Sequence, residues 1–426
     1  MLDIRLVREN PDIIRKDLQK RNKPDLLKKL EEVIELDRRW RESLQQQEKL
    51  RSQRNTLSQE IAQLKKSGKP ADDKLKIVKD IPEKIRQEEA ITLDLQDKVK
   101  AIMTVLPNIL HESVPVGIDD TQNQTVKEWG KKVKPKFTLK SHVDILEASD
   151  LADTKKAGDV SGARFYYLKR ELVMLDYALL MYSLNLLHNK GFVLMEPPYM
   201  VKRKPYEMMT MMGDFEEVMY KIDNEDLYLI ATSEHAIGPY HMEEDVDIKK
   251  LPLNYAGVSP CFRKEAGSHG KDTKGIFRVH TFNKVEQFVF CKQEDSWKIH
   301  EELLKNAEEV FQGLELPYRV VNICTGDIGS IAAKKYDIEV WMPSQEKYRE
   351  VVSCSNCTDY QGRRLGIKYQ EGNDRKFVHT LNSTAIATSR AIVAIMENFQ
   401  NEDGSFNVPK VLWPYMGGVK VIGKKN

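Results

Sequence analysis

Residues 260–290, PCFRKEAGSHGKDTKGIFRVHTFNKVEQFVF, concentrate groups that could do chemistry. Two apolar, β-prone ends enclose a centre with Gly267, Gly270, Gly275, Lys271, Lys274 and Arg278. The pattern predicts a strand, a long loop and a returning strand. Arg263 and Glu265 stand two apart, so in a strand they would share a face. Such a pair can be a plain structural ion pair. Beside a cationic, glycine-containing loop it also suits a phosphate, because a guanidinium offers a planar fork to a phosphoryl group. Neither G-x-x-x-x-G-K-[ST] nor G-x-G-x-x-G occurs, so nucleotide binding would need another chemistry.

The elements that must hold these groups fall into two regions. From residue 20 to 106 the only Trp is Trp40, the only Gly is Gly68, and Phe and Tyr are missing. Leu26, Leu30, Val33, Trp40, Leu44, Leu57, Ile61 and Leu64 recur at steps of three and four or their sums, an amphipathic helix with a narrow seam. After KSGKPAD (66–72) a second series runs through Leu75, Val78, Ile81, Ile85, Leu95, Val99, Ile102 and Leu106. Gly68 and Pro70 suit a turn, so an antiparallel helical hairpin is expected. Asp37, Gln47 and either Arg51 or Arg54 fall near the seam, which predicts a firm base and a looser tip. Residues 49–79 carry nine cations against Glu60, Asp72 and Asp73, a local excess of six. That excess reads either as a solvated face or as a grip on phosphates.

Residues 107–165, with Pro107, Pro115 and Pro135, read as a connector. Residues 165–190 read as a long buried helix ended by Gly191, and 294–314 as another stopped by Gly313. Between them lie FVLMEPPYMV, DLYLIAT, LNYAGVSPCF, VEQFVF, YRVVNI and DIEVWM, short β-rich runs without regular strand–helix alternation. The expected fold class is α+β: an N-terminal helical hairpin (1–110), then an antiparallel sheet flanked by helices (111–426). The chain has 426 residues, enough for two or three domains at about 150 residues each. Lys+Arg is 67 and Asp+Glu 65, which excludes a polybasic, histone-like protein and confines any nucleic-acid contact to local patches. The apolar runs are too short for a membrane span, the start does not resemble a signal peptide, and five cysteines do not suggest a disulfide framework. A cytoplasmic, reduced protein is expected.

FRKEAG with GIFRVHTFNKVEQF resembles motif 2 of the class II aminoacyl-tRNA synthetases, in the form found in seryl-tRNA synthetases. GFVLMEPPYMV (191–201), with Pro197, resembles motif 1; ATSEHAI (231–237) resembles the serine-binding T-x-E; LNSTAIATSRAIVAIMENFQ (381–400) resembles motif 3. The hairpin is similar to that family's tRNA-binding arm, so the resemblance spans essentially the whole chain.

The resemblance implies roles residue by residue. Arg263 would hold the ATP α-phosphate and the serine carboxylate, and Arg390, with Arg278 nearby, the γ-phosphate of a bent ATP. Glu265 would accept from the adenine amino group, Phe282 would stack on the ring, and Lys264 and Val279 would border it. Glu350 and Ser353, with Val351 and Val352 between them in YREVVSCS, match an E-x-x-S that holds Mg²⁺ and phosphates. Thr232, Ser233 and Glu234 would meet the substrate ammonium; Glu286, Asn382 and Thr384 would surround its hydroxyl. Arg263, Arg390 and Glu350 would carry catalysis. Arg51, Arg54, Lys65, Lys66, Lys69, Lys74 and Lys76 would grip the long variable arm of serine tRNA. The implied reaction activates L-serine with ATP to seryl-adenylate and transfers it to the tRNA 3′ end, with selenocysteine tRNA a second candidate acceptor. The implied assembly is a homodimer.

Such chemistry needs no nucleophilic side chain, because the substrate carboxylate attacks; positioning and charge cancellation suffice. Alanine would leave Glu286 unpaired, a loss that can reach about 10⁴-fold. Two rival readings are an amino-acid-activating relative that serves a carrier protein, and a non-catalytic tRNA-binding scaffold. The first would lack the arm; the second would have lost Arg263, Arg390 or Glu350. Cys354 and Cys357 form one C-x-x-C without a second pair, so structural thiols rather than zinc are expected. His269 and His280 are expected to be structural, and 206–220 to be core plus a site border.

Overall fold

A computed structural model describes residues 1–423 apart from 133, 212–217 and 266–273. The chain divides into two compact units, Met1–Pro107 and Asn108–Asn426.

In the first unit, α1 (Ile4–Glu9) and α2 (Pro11–Lys20) precede the hairpin of α3 (Pro24–Lys66) and α4 (Asp72–Val105). The 43 residues of α3 make a rod about 65 Å long. The turn falls where glycine and proline placed it: Gly68 takes the left-handed φ of 66° that ends a helix at low steric cost. Leu30, Val33, Leu50, Ile61, Ile81, Ile85 and Leu95 are buried along the seam. The polar seam positions have specific partners. Asp37, 1% exposed, accepts from Arg8 of α1 at 2.7 and 2.9 Å and from Arg41 at 3.0 Å. Further along, Ser43 Oγ lies 2.7 Å from Thr92 Oγ1 and donates to Glu88 Oε1 at 2.6 Å. Gln47 donates to the same Thr92 hydroxyl and to the Glu88 carbonyl. This buried polar layer sits between apolar stretches.

The second unit is built on an eight-stranded sheet. Its strands are β1 (Gln124–Trp129), β2 (Val193–Met195), β3 (Leu253–Phe262), β4 (Thr281–Cys291), β5 (Tyr318–Asn322), β6 (Lys334–Met342), β7 (Lys347–Asn356) and β8 (His379–Ala387). The spatial order is β1-β5-β6-β7-β8-β4-β3-β2, antiparallel throughout except for β2 beside β3. Helices α5 (Glu171–Asn189), α6 (Ser296–Gly313) and α8 (Thr388–Asn398) cover one face. Short helix α7 (Tyr360–Leu365) precedes β8. An α+β unit of an antiparallel sheet flanked by helices is what the β-rich runs indicated. The stretch 107–165, expected as a connector, instead supplies edge strand β1, which pairs with β5. Residues 124–128 are exposed, so no apolar alternation marked them.

Strand β4 shows how one sheet serves two purposes. Val285, Val289 and Cys291 face the helices in the main core, while Phe282, Lys284 and Glu286 line a cavity on the other face. Phe288 and Phe290 continue that second face into a smaller apolar cluster. Each fully buried Val or Phe contributes about 1.5–3 kcal/mol, so the strand is anchored at the end remote from its charged half.

Asp37→Ala is expected to destabilise the hairpin unit by about 3 kcal/mol, because Arg8 is left without its buried acceptor. Calorimetric unfolding reads this as a lowered hairpin transition; an unmoved transition would show that desolvation already offsets the pair.

Candidate active site

On the sheet face away from the main helices lies a cavity of about 160 Å³. Its walls are Thr232, Glu234, Arg263, Phe282, Lys284, Glu286, Glu350, Val351, Ser353, Asn382, Thr384, Ala387 and Arg390. Eleven of these thirteen belong to the residues singled out from sequence, Val351 among them as an ATP-site residue; Lys284 and Ala387 do not.

Two β-bulges aim the side chains. Glu350 and Ser353 are three apart, so in a regular strand they would point to opposite faces. The β6–β7 register pairs Ile338 with Val352 but Glu339 with Glu350, leaving Val351 extra. That extra residue turns Glu350 back onto the face of Ser353. The β8–β4 register likewise skips Ala385 between Thr384 and Ile386, which brings Ala387 onto the face of Asn382 and Thr384.

A turn brings the third group. Gly257 of β3 pairs with Glu286, and a Cβ there would sit 2.3 Å from Ile237 Cδ1 and 2.6 Å from Ser233 Oγ. Its bare backbone lets the Thr232–Glu234 turn close onto the sheet. Ser233 is buried and donates to the Gly257 carbonyl at 3.3 Å, so it anchors the turn rather than lining the cavity. Thr232 Oγ1 accepts from the Glu234 backbone N–H at 3.4 Å. Behind the turn the His235 ring lies tilted against Tyr206, centroids 4.5 Å apart, and burial pushes its imidazole down to about 3, so it stays neutral.

The charges pair selectively. Lys284 Nζ lies 2.5 Å from Glu286 Oε2, and Arg390 Nη1 lies 3.5 Å from Glu350 Oε2 while donating to the Glu350 carbonyl at 2.9 Å. Arg263 spreads over the Phe282 ring at 5.1 Å and donates to the Ala231 carbonyl at 3.3 Å. Glu234 accepts from Asn382 at 3.2 Å and Gln361 at 3.3 Å. Neither Arg263 nor Glu234 has an ion-pair partner among the described residues. Burial, reinforced by the charge of Glu286, raises the Glu234 carboxyl to about 7; Lys284, Gln361 and Arg263 oppose that rise. Glu350 is pushed the other way: desolvation would raise its carboxyl, but Arg390, Lys335 and Arg263 outweigh it and hold the group below its ordinary range. Arg263 therefore acts on both ends of the cavity.

Several residues singled out from sequence lie outside the walls. Strand β3 ends at Phe262, so Arg263 and Glu265 do not share a strand face as expected. Glu265 has φ 50° and pairs with Arg278 at 2.7 Å. The Lys264 backbone N–H donates to the Val218 carbonyl at 2.9 Å, Val279 is buried, and Val352 faces the main core. His280 Nδ1 lies 2.7 Å from the Arg263 carbonyl, a backbone prop. Gly267, Lys271, Gly270 and His269, like 212–217 of the expected site border, lie outside the described residues. Cys354 and Cys357 are buried, and burial pushes both thiols well above their usual range. Gln361, which orients Glu234 and itself accepts from Thr380 at 2.6 Å, carried no sequence signal. Lys284 did: it alternates with Phe282 and Glu286.

In the first unit Arg51 pairs with Glu89 at 2.8 Å and Lys74 with Glu60 at 2.5 Å. Arg54, Lys65, Lys66, Lys69 and Lys76 are exposed around the turn.

A carboxyl near pH 7 is measurable. Infrared difference titration of the ligand-free protein is expected to show Glu234 and Asp337 deprotonating at about pH 7, with the Glu234 band absent from Glu234→Gln. Persistence of that band in the variant would assign it elsewhere.

Comparison with known proteins agrees with this geometry. Residues 1–110 match the seryl-tRNA synthetase N-terminal domain, and residues 217–399 the class II core domain of the G, H, P, S and T synthetases. The serine–tRNA ligase of Methanospirillum hungatei is 55% identical over 98% of this chain and 99% of its own, and that of Thermococcus sibiricus 52% over 99% and 98%. The crystal structure of the Pyrococcus horikoshii seryl-tRNA synthetase complexed with ATP superposes with a TM-score of 0.97 at 50% identity, covering 100% of both chains. The Naegleria fowleri cytoplasmic enzyme in complex with AMP gives 0.92 at 37%, over 100% and 99%. With both units matched, the charged cavity on its bulged sheet is that of a class II aminoacyl-tRNA synthetase, and the chain belongs to the serine–tRNA ligase family.

Proposed function

We propose that this serine–tRNA ligase binds serine as a zwitterion between Arg263 and Glu234, and one observation carries that reading. In a cavity with three cations and three carboxylates, Lys284 neutralises Glu286 and Arg390 neutralises Glu350. The cation and anion left over, Arg263 and Glu234, match an amino acid's carboxylate and ammonium. Thr232 assists Glu234, Asn382 orients it, and Glu286 with Thr384 receives the hydroxyl. The ATP-complexed Pyrococcus horikoshii relative supports ATP as the second substrate, with its adenine on the Phe282 face opposite Arg263.

Chemistry then follows from position. The serine carboxylate attacks the α-phosphorus in line, pyrophosphate leaves, and Arg263 touches both reacting anions. Holding them in line supplies on the order of 7 kcal/mol or more. Glu350 and Ser353 are hard oxygen donors on one wall, a set that fits Mg²⁺ sharing its remaining positions with phosphates. Bound there, Mg²⁺ would neutralise phosphate charge. Arg390 binds the γ-phosphate.

The tip cations of α3 and α4 grip serine tRNA through its phosphates and shape, with selenocysteine tRNA a second acceptor. The five cysteines are unpaired and buried, in keeping with a reducing cytoplasm. Removal of residues 25–105 is expected to abolish charging of both tRNAs while leaving serine-dependent ATP–pyrophosphate exchange. Loss of exchange in a folded truncation would overturn this division of labour.

A homodimer is supported by an apolar stripe on α5, where Val173, Tyr177 and Met181 are exposed at successive turns, and by Val193 and Leu194 on edge strand β2. Tyr177, 62% exposed, is a sharp probe. Light scattering is expected to give a dimer that Tyr177→Glu weakens at least about tenfold; a fully active monomer would contradict the assembly.

A further inference from the structure

Lys284 is the cavity cation for which the adenylation step has no need. Its side chain is 8% exposed, that of Glu286 is 2% exposed, and the two meet at 2.5 Å through Oε2. Thr384 Oγ1 donates to the same oxygen at 3.2 Å. Both of these contacts fall on Oε2.

We propose that Lys284 is a positioning residue that makes Glu286 read a hydroxyl and refuse a second ammonium, so that the pocket rejects small diamino acids such as 2,3-diaminopropionate. The inference rests on Glu286 as acceptor of the serine hydroxyl. That amino acid has the serine skeleton with an amine in place of the hydroxyl, an ammonium once protonated in mildly acidic solution, so size cannot separate the two. A desolvated carboxylate standing alone binds a cation better than a neutral donor. An isolated Glu286 would therefore prefer the wrong substrate, and Glu234 close by would add to the attraction. Lys284 reverses the preference. It occupies one oxygen of Glu286 and leaves the other for a neutral donor, while an incoming ammonium would face Lys284 across a single carboxylate. Like charges at that separation repel strongly where water is excluded. Discrimination comes from a built-in repulsion rather than from an extra contact.

The neighbours fit this role. Ala387, cross-strand partner of Lys284, lines the cavity with a methyl group only, and Gly257, partner of Glu286, has no side chain. Neither can shield the ammonium from the substrate.

The test compares the full-length enzyme with Lys284→Met and Lys284→Arg, using serine and 2,3-diaminopropionate in ATP–pyrophosphate exchange and in calorimetric binding. The ratio of kcat/KM for serine over the diamino acid is expected to fall at least about tenfold in K284M and to be retained in K284R, which keeps the charge. A K284M enzyme that loses serine activation with an unchanged ratio would reduce Lys284 to a structural role and overturn the proposal. An equal fall in K284R would remove charge as the cause. One measurement needs no variant: the unaltered enzyme must bind the diamino acid at least about tenfold more weakly than serine, and equal or tighter binding overturns the idea. Glu286→Ala, which removes the side-chain acceptor altogether, separates this from the underlying reading. If that variant still discriminates serine from alanine, the hydroxyl-reading role of Glu286 is wrong, whatever Lys284 does.

Discussion

Six ionisable side chains facing one small cavity cannot all be left unbalanced, and much of the second unit follows from that constraint. A charge removed from water is tolerated when another charge or a set of hydrogen bonds replaces the solvent. Here two of the three carboxylates have an adjacent cation, and the third, Glu234, has two amide donors instead. The consequence is visible in its carboxyl, which sits near neutrality while that of Glu350 is held low. The protein therefore holds one incomplete pair in reserve. An amino-acid zwitterion bound as proposed would complete it, making affinity and site stability two aspects of one balance.

The backbone meets this demand with very ordinary means. Strand alternation places Phe282, Lys284 and Glu286 on one side while Val285 and Val289 fix the strand to the helices. Alternation alone would have turned Glu350 or Ser353 away. Inserting one residue at Val351, and another at Ala385, corrects the aim without disturbing the core residues on either side. Bulges are over-represented next to active sites for this reason. Gly257 does the complementary work of subtraction, since removing a side chain opens the place into which the Thr232–Glu234 turn descends.

What could be read from the sequence divides along the same physical line. Groups picked out by chemical type converge: Arg263, Glu286, Glu350 and Arg390 all stand on the cavity wall. The helical seam was legible because apolar spacing reports directly on burial. Features that depend on backbone geometry were not. Nothing in YREVVSCS marks Val351 as extra, and nothing in FRKEAG announces that β3 stops at Phe262 or that Glu265 turns left-handed. Strand β1 escaped because its residues face solvent, and Asp37 looked like an impurity because its partner Arg8 is 29 positions away. Lys284 was within reach of the simplest rule, as the residue between two others already assigned to one face.

The polar layer of the hairpin has a consequence for measurement of length. Ser43, Gln47, Thr92 and Glu88 satisfy one another only in a single alignment of the two rods. A slide by one turn would strand hydroxyls and an amide against aliphatic carbon, whereas an all-leucine interface would accept the shift. These four side chains thus work as the zero mark of a ruler, and the lysines around Gly68 stand at a fixed graduation from it.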